Sequence, residues 1–171
     1  APTSRAEAEA VPQVTGVTRT ITADPVSGVE FCSATGRLFC LSYDGSTHSR
    51  SLVAFDAASA DEVGRLSTDK IASGCHGGSG PICIGGRLLM FGEKERFIQI
   101  YDCATLQELY AGPNPSPSSQ YDHENVVRAA RVINGELYTS TYHYSRRWSL
   151  CNVVEAGLPP ELLTEFKGTG N

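Results

Sequence analysis

The 171-residue chain has no apolar run long enough to cross a bilayer as a helix. Its opening stretch, Ala1 to Ala10, lacks the apolar core of a secretory signal. Position 1 is not methionine, which points to a processed chain or an excised domain. Basic charge is scarce, with 14 Lys and Arg against 19 Asp and Glu and a net charge of −5. No global positive field therefore draws the chain to nucleic acid or to an anionic membrane. There is no Cys-x-x-Cys pair, which removes the common zinc and redox spacings. No glycine-rich stretch ends in Gly-Lys-Ser/Thr, so a P-loop is absent too. What is present is an ordinary globular composition, 40% hydrophobic and 19% charged, with enough length for one sizeable core.

Six cysteines stand at 32, 40, 75, 83, 103 and 151. The even count permits a disulfide framework. Most of them, however, sit inside apolar strand-like runs such as "EFCSA", "LFCLS" and "PICIGG", where a free thiol packs as a small hydrophobe. Reduced structural thiols and an intracellular, cytoplasmic location are the expectation.

The informative pattern is a repeat. "GRLFCLS" begins at Gly36, "GRLLMFG" at Gly86 and "GELYTST" at Gly135, spaced by about fifty residues. Each is followed by a polar turn ("YDGSTHSR", "EKERF", "YHYSRR") and a second β-rich run ending at Asp56, Asp102 or Asn152. A short turn then leads to a more polar run: "EVGRL", "QELYA" or "ELLTEF". A further run precedes each glycine: "GVEFCSA", "GPICIG" and "NVVRAARVI". Four antiparallel strands per unit of about fifty residues is the pattern of a β-propeller blade. The fold class is thus all-β, with three blades expected over residues 20–70, 71–120 and 121–167, after a flexible N-terminal segment at 1–15. In each turn an Asp or Asn ahead of small residues can accept backbone N–H groups and fix the bend. A β-sandwich or barrel of about ten strands is the alternative.

The units resemble the WD-repeat β-propeller family over residues 16–167. His76 and His123 stand where that family places the His of its Gly-His motif. Phe55-Asp56, Tyr101-Asp102 and Cys151-Asn152 stand at its Trp-Asp dipeptide. No copy in this alignment carries the Trp. The family network of His, turn Asp, strand Ser/Thr and Trp is therefore complete in none. Kelch-like and quinone-binding-type propellers share the same general architecture. The resemblance implies a rigid, non-catalytic scaffold for protein–protein interaction, with Asp56, His76, Asp102, His123 and Asn152 as structural residues. Three blades do not close a ring, since propellers have about four to eight, so a second copy or another chain is expected to complete it.

Candidate binding residues come from the turns between the second and third strands, which a propeller projects on one face. They are His48, Arg50, Lys94, Arg96, Phe97, Tyr142, His143, Arg146 and Arg147, a locally basic and partly aromatic rim on an acidic chain. Arg and aromatic side chains are preferred anchors of recognition surfaces, whereas the plainer reading is a set of solvated turns. Contact with RNA, as a subunit of a ribonucleoprotein assembly, is an alternative. "GCHGGSGP" brings Cys75, His76 and Ser79 together in sequence, the seed of an enzyme alternative. Catalytic pairs are usually assembled from distant segments, however, and a glycine-rich connection is the simpler reading. No catalytic residue, metal or cofactor is expected. "AGPNPSPSSQYDHEN", from Ala111 to Asn125, reads as a long surface loop, with Ser116, Ser118 and Ser119 as accessible hydroxyls.

Overall fold

A computed structural model describes residues 26–44, 46–47, 49–66, 80–91, 98–113 and 127–168. Twelve strands and one short helix are formed among them. The strands fall into three separate four-stranded antiparallel sheets, each a simple meander. The first contains β1 (Val26–Cys32), β2 (Arg37–Asp44), β3 (Ser49–Asp56) and β4 (Glu62–Leu66). The second contains β5 (Ile82–Ile84), β6 (Arg87–Phe91), β7 (Ile98–Asp102) and β8 (Glu108–Gly112). The third contains β9 (Ala129–Ile133), β10 (Glu136–Ser140), β11 (Tyr144–Ser149) and β12 (Glu161–Lys167), with α1 (Cys151–Ala156) between its last two strands. These are propeller blades, and a single sandwich or barrel is set aside, because no ladder joins one sheet to another.

The repeated glycine is a backbone requirement. Gly36, Gly86 and Gly135 have φ of 67°, 75° and 78°, and each closes the turn before the second strand of its blade. A side chain there would meet the steric cost of the left-handed region. The next turn contact also recurs. Ala57 N–H donates to Gly36 carbonyl and Cys103 N–H to Gly86 carbonyl, both at 2.9 Å.

The middle strands of the first two blades are apolar on both sides because both sides are covered. In the first blade Phe39, Leu41, Leu52 and Ala54 share one face and pack on Leu88, Met90, Tyr101 and Cys103 of the second. The opposite face of the second blade offers Leu89, Phe91, Ile98 and Ile100 to Leu137, Trp148, Leu150 and Val153 of the third. Each blade thus has a forward face toward the next blade and a backward face toward the previous one. The fourth strands β4, β8 and β12 are largely exposed, as edges facing water should be. The first strands converge instead. Residues of β1, β5 and β9 line one concavity of about 430 Å³. The approach is close at its rim, where a Cβ on Gly28 would fall 2.5 Å from the Gly80 Cα.

The turn aspartates of the first two blades behave as the sequence implies. Asp56 Oδ1 accepts the N–H groups of Ala58 and Ser59 at 3.0 and 2.7 Å. Asp102 Oδ1 accepts those of Ala104 and Thr105, both at 2.9 Å, and its other oxygen pairs with Arg87. The third blade requires a correction. Asn152 is the second residue of helix α1 and anchors no such turn. Strand register identifies the error: Arg37 faces Asp56, Arg87 faces Asp102, and the equivalent Glu136 faces Ser149. The third dipeptide site is therefore Trp148-Ser149. Trp148 replaces Phe55 and Tyr101, and its indole N–H donates to Thr139 Oγ1 at 2.9 Å inside the seam. Ser149 Oγ takes over part of the aspartate's work by accepting the Cys151 N–H at 3.4 Å.

Two outcomes follow. Thr139→Val strands the indole N–H and should cost about 1–3 kcal/mol in chemical denaturation; adding Trp148→Phe removes the orphaned donor, so the two losses should be non-additive. The second concerns pH. Backbone N–H donation, from Thr105 first at Asp102 and from Ser59 first at Asp56, holds both carboxyls below the usual aspartate range. A folded pKa below the unfolded one contributes stability above the unfolded value and loses it as pH falls through the folded one. The urea midpoint should thus fall below about pH 4, and Asp56→Asn/Asp102→Asn should start lower at neutral pH and lose less in acid.

Candidate functional site: the outer face of the third blade

Alternation along β9, β10, β11 and β12 fixes which side chains share the forward face of the third blade. Register sets Arg131, Tyr138, Arg147 and Thr164 in one row, and Ala129, Ser140, Ser145 and Phe166 in the next. The equivalent positions in the first two blades are aliphatic or aromatic and buried in seams. Phe39 and Leu89 become Tyr138, and Leu41 and Phe91 become Ser140. Leu52 and Ile98 become Ser145, and Ala54 and Ile100 become Arg147. The result is a face that keeps apolar bulk yet carries hydrogen-bonding groups and positive charge.

A groove of about 390 Å³ crosses it, lined by Ala129, Arg131, Ile133, Tyr138, Arg147 and Phe166. Phe166 is 63% exposed and Ile133 52%. Tyr138 hydroxyl donates to Glu136 Oε2 at 3.0 Å, and Arg147 Nη1 lies 3.8 Å from the same oxygen. Glu136 therefore fixes one side of the groove. Arg131 Nη1 donates to the Ala130 carbonyl at 2.9 Å.

The structure divides the residues expected to form the basic rim. His48, Lys94, Arg96 and Phe97 lie outside the described residues, as do Cys75, His76, Ser79, His123 and the serines at 116, 118 and 119. Arg50 belongs to β3 rather than to a turn; it faces Tyr43 across the ladder, with its guanidinium 6.0 Å from that ring's centre. Tyr142 and His143 do form an exposed tip between β10 and β11. Arg128 lies over the Tyr142 ring at 4.0 Å, a cation–π pair the sequence reading missed. Arg146 and Arg147 are strand residues, since β11 starts at Tyr144. They point to opposite faces, as neighbours in a strand must. Arg146 is buried, donates to Glu165 Oε2 at 2.6 Å and lies 4.9 Å over the Tyr144 ring. It serves the seam side of its blade, whereas Arg147 serves the open side. A joint contact of the two with one RNA strand is incompatible with that geometry.

Sequence reading also missed Arg131, Ile133, Tyr138 and Phe166. The signal was available in "ELYTS", whose Tyr138 and Ser140 stand where "RLFCLS" and "RLLMF" carry Phe39, Leu89, Leu41 and Phe91.

No family model matches the chain, and no curated protein matches it. Among solved structures, Kluyvelomyces marxianus Hsv2, a β-propeller, superposes with a TM-score of 0.49 at 10% identity, over 85% of this chain and 40% of that one. KlHsv2 with its loop 6CD replaced by a Gly-Ser linker gives 0.48 at 11% identity with the same coverage, 85% and 40%. The chain thus spans about two fifths of the length of these propellers. Its own strand order, register and seams define the blades. Among the described residues, no helix is long and apolar enough to cross a membrane.

Substitution distinguishes the two arginines. Arg146→Ala removes the 2.6 Å ion pair to the largely buried Glu165 carboxylate and should cost about 2–4 kcal/mol in urea unfolding. Arg147→Ala removes a half-exposed, long ion pair and should cost no more than about 1 kcal/mol.

Proposed function

We propose that the chain is a non-catalytic protein-interaction scaffold of WD-repeat type, and that the forward face of its third blade receives a segment of another protein. The exchange of seam residues for Tyr138, Ser140, Ser145 and Arg147 carries this reading. A face destined to meet a fourth aliphatic blade gains nothing from a buried arginine, which costs several kcal/mol without a partner. A face that binds a polypeptide uses such a mixture, because aromatic and arginine side chains anchor recognition while serines supply adaptable hydrogen bonds. Arg131 and Arg147 favour a segment with an acidic residue, and Phe166, Ile133 and Tyr138 favour an apolar side chain beside it. The WD-repeat character is supported by Trp148 at the dipeptide position and its bond to Thr139.

A second copy is the poorer partner. Joining two copies head to tail would set this polar face on the backward face of the first blade, where Leu38, Cys40, Val53 and Phe55 gather. Cys40, Val53 and Phe55 are already buried within the single chain, at 6%, 1% and 4% exposure.

Light scattering after size exclusion should give a monomer; a stable dimer lost on Arg147→Glu would assign the face to self-assembly and overturn the reading. Peptides selected from a random phage-displayed library on the immobilised chain should pair Asp or Glu with an aromatic or aliphatic residue. They should bind at least about tenfold more weakly to Arg131→Glu/Arg147→Glu. Undiminished binding removes the face from the function. Salt-dependent binding of single-stranded oligouridine lost in that variant would transfer the face to RNA.

A further inference from the structure

Three cysteines from separate elements meet in the seam between the first two blades. Cys32 ends β1, Cys83 is the middle residue of β5, and Cys103 follows Asp102 at the end of β7. Their sulfur atoms all lie within 4.8 Å of one another, with Cys83 and Cys103 at 3.9 Å. All three are free thiols. They do not occupy equivalent positions in the repeat. Arg37 faces Cys32, whereas the equivalent Arg87 faces Ile84. The cluster is therefore particular to this seam.

We propose that Cys32, Cys83 and Cys103 form a three-thiolate site for copper(I), which clips the first blade to the second. An equilateral set of sulfurs around one ion with metal–sulfur bonds of about 2.3 Å has edges of about 4.0 Å, close to the separation of Cys83 and Cys103. Edges between 3.9 and 4.8 Å place a central ion about 2.3–2.8 Å from each sulfur. A contraction of a few tenths of an ångström thus completes the site without moving a strand. Three soft ligands suit a d10 monovalent ion, whereas zinc takes a fourth ligand, and among the described residues no other Cys, His, Asp or Glu joins the cluster.

The surroundings are built for such a site. Arg37 crosses the seam and donates to the carbonyls of Cys103 and Ala104, at 2.9 and 2.5 Å, which ties the turn carrying Cys103 to the first blade. Glu30 Oε1 accepts the Cys83 N–H at 3.1 Å and sets β5 in place. Cys32 and Cys103 are buried, while Cys83 is half-buried and opens onto a cleft of about 100 Å³ lined also by Phe31, Ala34 and Gly85. That cleft is the path of entry. On binding, three thiols release their protons to solvent and three Cu–S bonds form, with no change in the oxidation state of sulfur or copper.

The test is an anaerobic titration of the reduced full chain with copper(I) held by bicinchoninate. A Cys75→Ser/Cys151→Ser background removes two thiols outside the cluster. One copper per chain should leave the chelator, and the thermal midpoint should rise with loading. Cys83→Ser should weaken binding by at least about 100-fold, more than loss of an outer-shell partner costs. If that variant fails to fold, X-ray absorption of the loaded background protein decides, with three sulfurs at about 2.3 Å expected. No copper withdrawn, copper retained by folded Cys83→Ser, or a two-sulfur or nitrogen-rich shell would each overturn the proposal.

Discussion

A sheet whose central strands are apolar on both sides has to be covered on both sides, and everything else in this chain follows from how that is done. Phe39 and Cys40, or Leu88 and Leu89, are neighbours in sequence and lie on opposite faces, yet all four are buried. One packed layer would satisfy only half of them. The two seams bury both sets in the second blade and the Phe39 set in the first, at about 25 cal/mol for each Å² of apolar surface removed from water, while Cys40 gathers with Val53 and Phe55 in a separate cluster on the first blade's backward face. The aspartate turns, the left-handed glycines and the indole–threonine bond then act locally, to hold each sheet at the pitch its seams require.

The same constraint makes the third blade informative. Its backward face keeps the seam pattern through Leu137 and Trp148, and its forward face abandons it. Tyr138, Ser140, Ser145 and Arg147 make that face polar, while Ile133 and Phe166 keep exposed apolar surface on it. The second seam carries a different specialisation, since α1 supplies Val153 to its core where the other blades use a short turn.

Most of the architecture was legible because glycine and aspartate mark it locally. Gly36, Gly86 and Gly135 announce the hairpins, and Asp56 and Asp102 announce the turns, through backbone chemistry that needs no tertiary context. The third copy was misaligned for the same reason. Its turn lacks the aspartate, and the nearest substitute in sequence, Asn152, sits in a helix that no strand pattern foretells. Three residues of slippage then hid Trp148 and put Arg146 and Arg147 into a loop. The open face and the thiol cluster were harder still. Each depends on which side of a strand a residue occupies, and a one-residue change of register reverses that. Cys32, Cys83 and Cys103 share no spacing that a linear motif could record.

Both seams interlock at glycines. At the first, Leu106 in the turn of the second blade leans back over Gly64 of the first, where a Cβ would stand 2.5 Å from its methyl carbon. At the second, Val154 of α1 leans back over Gly85, while Leu109 of the second blade leans forward over Gly157 of the third. Each blade is keyed into the one made before it. During synthesis, then, the forward face of a finished blade stays uncovered until the next fifty residues arrive, roughly 3–10 s at about 5–20 residues/s. For Phe39, Leu41, Leu52 and Ala54 that is an interval as exposed sheet, and it ends when Leu88, Met90 and Tyr101 of the second blade cover them.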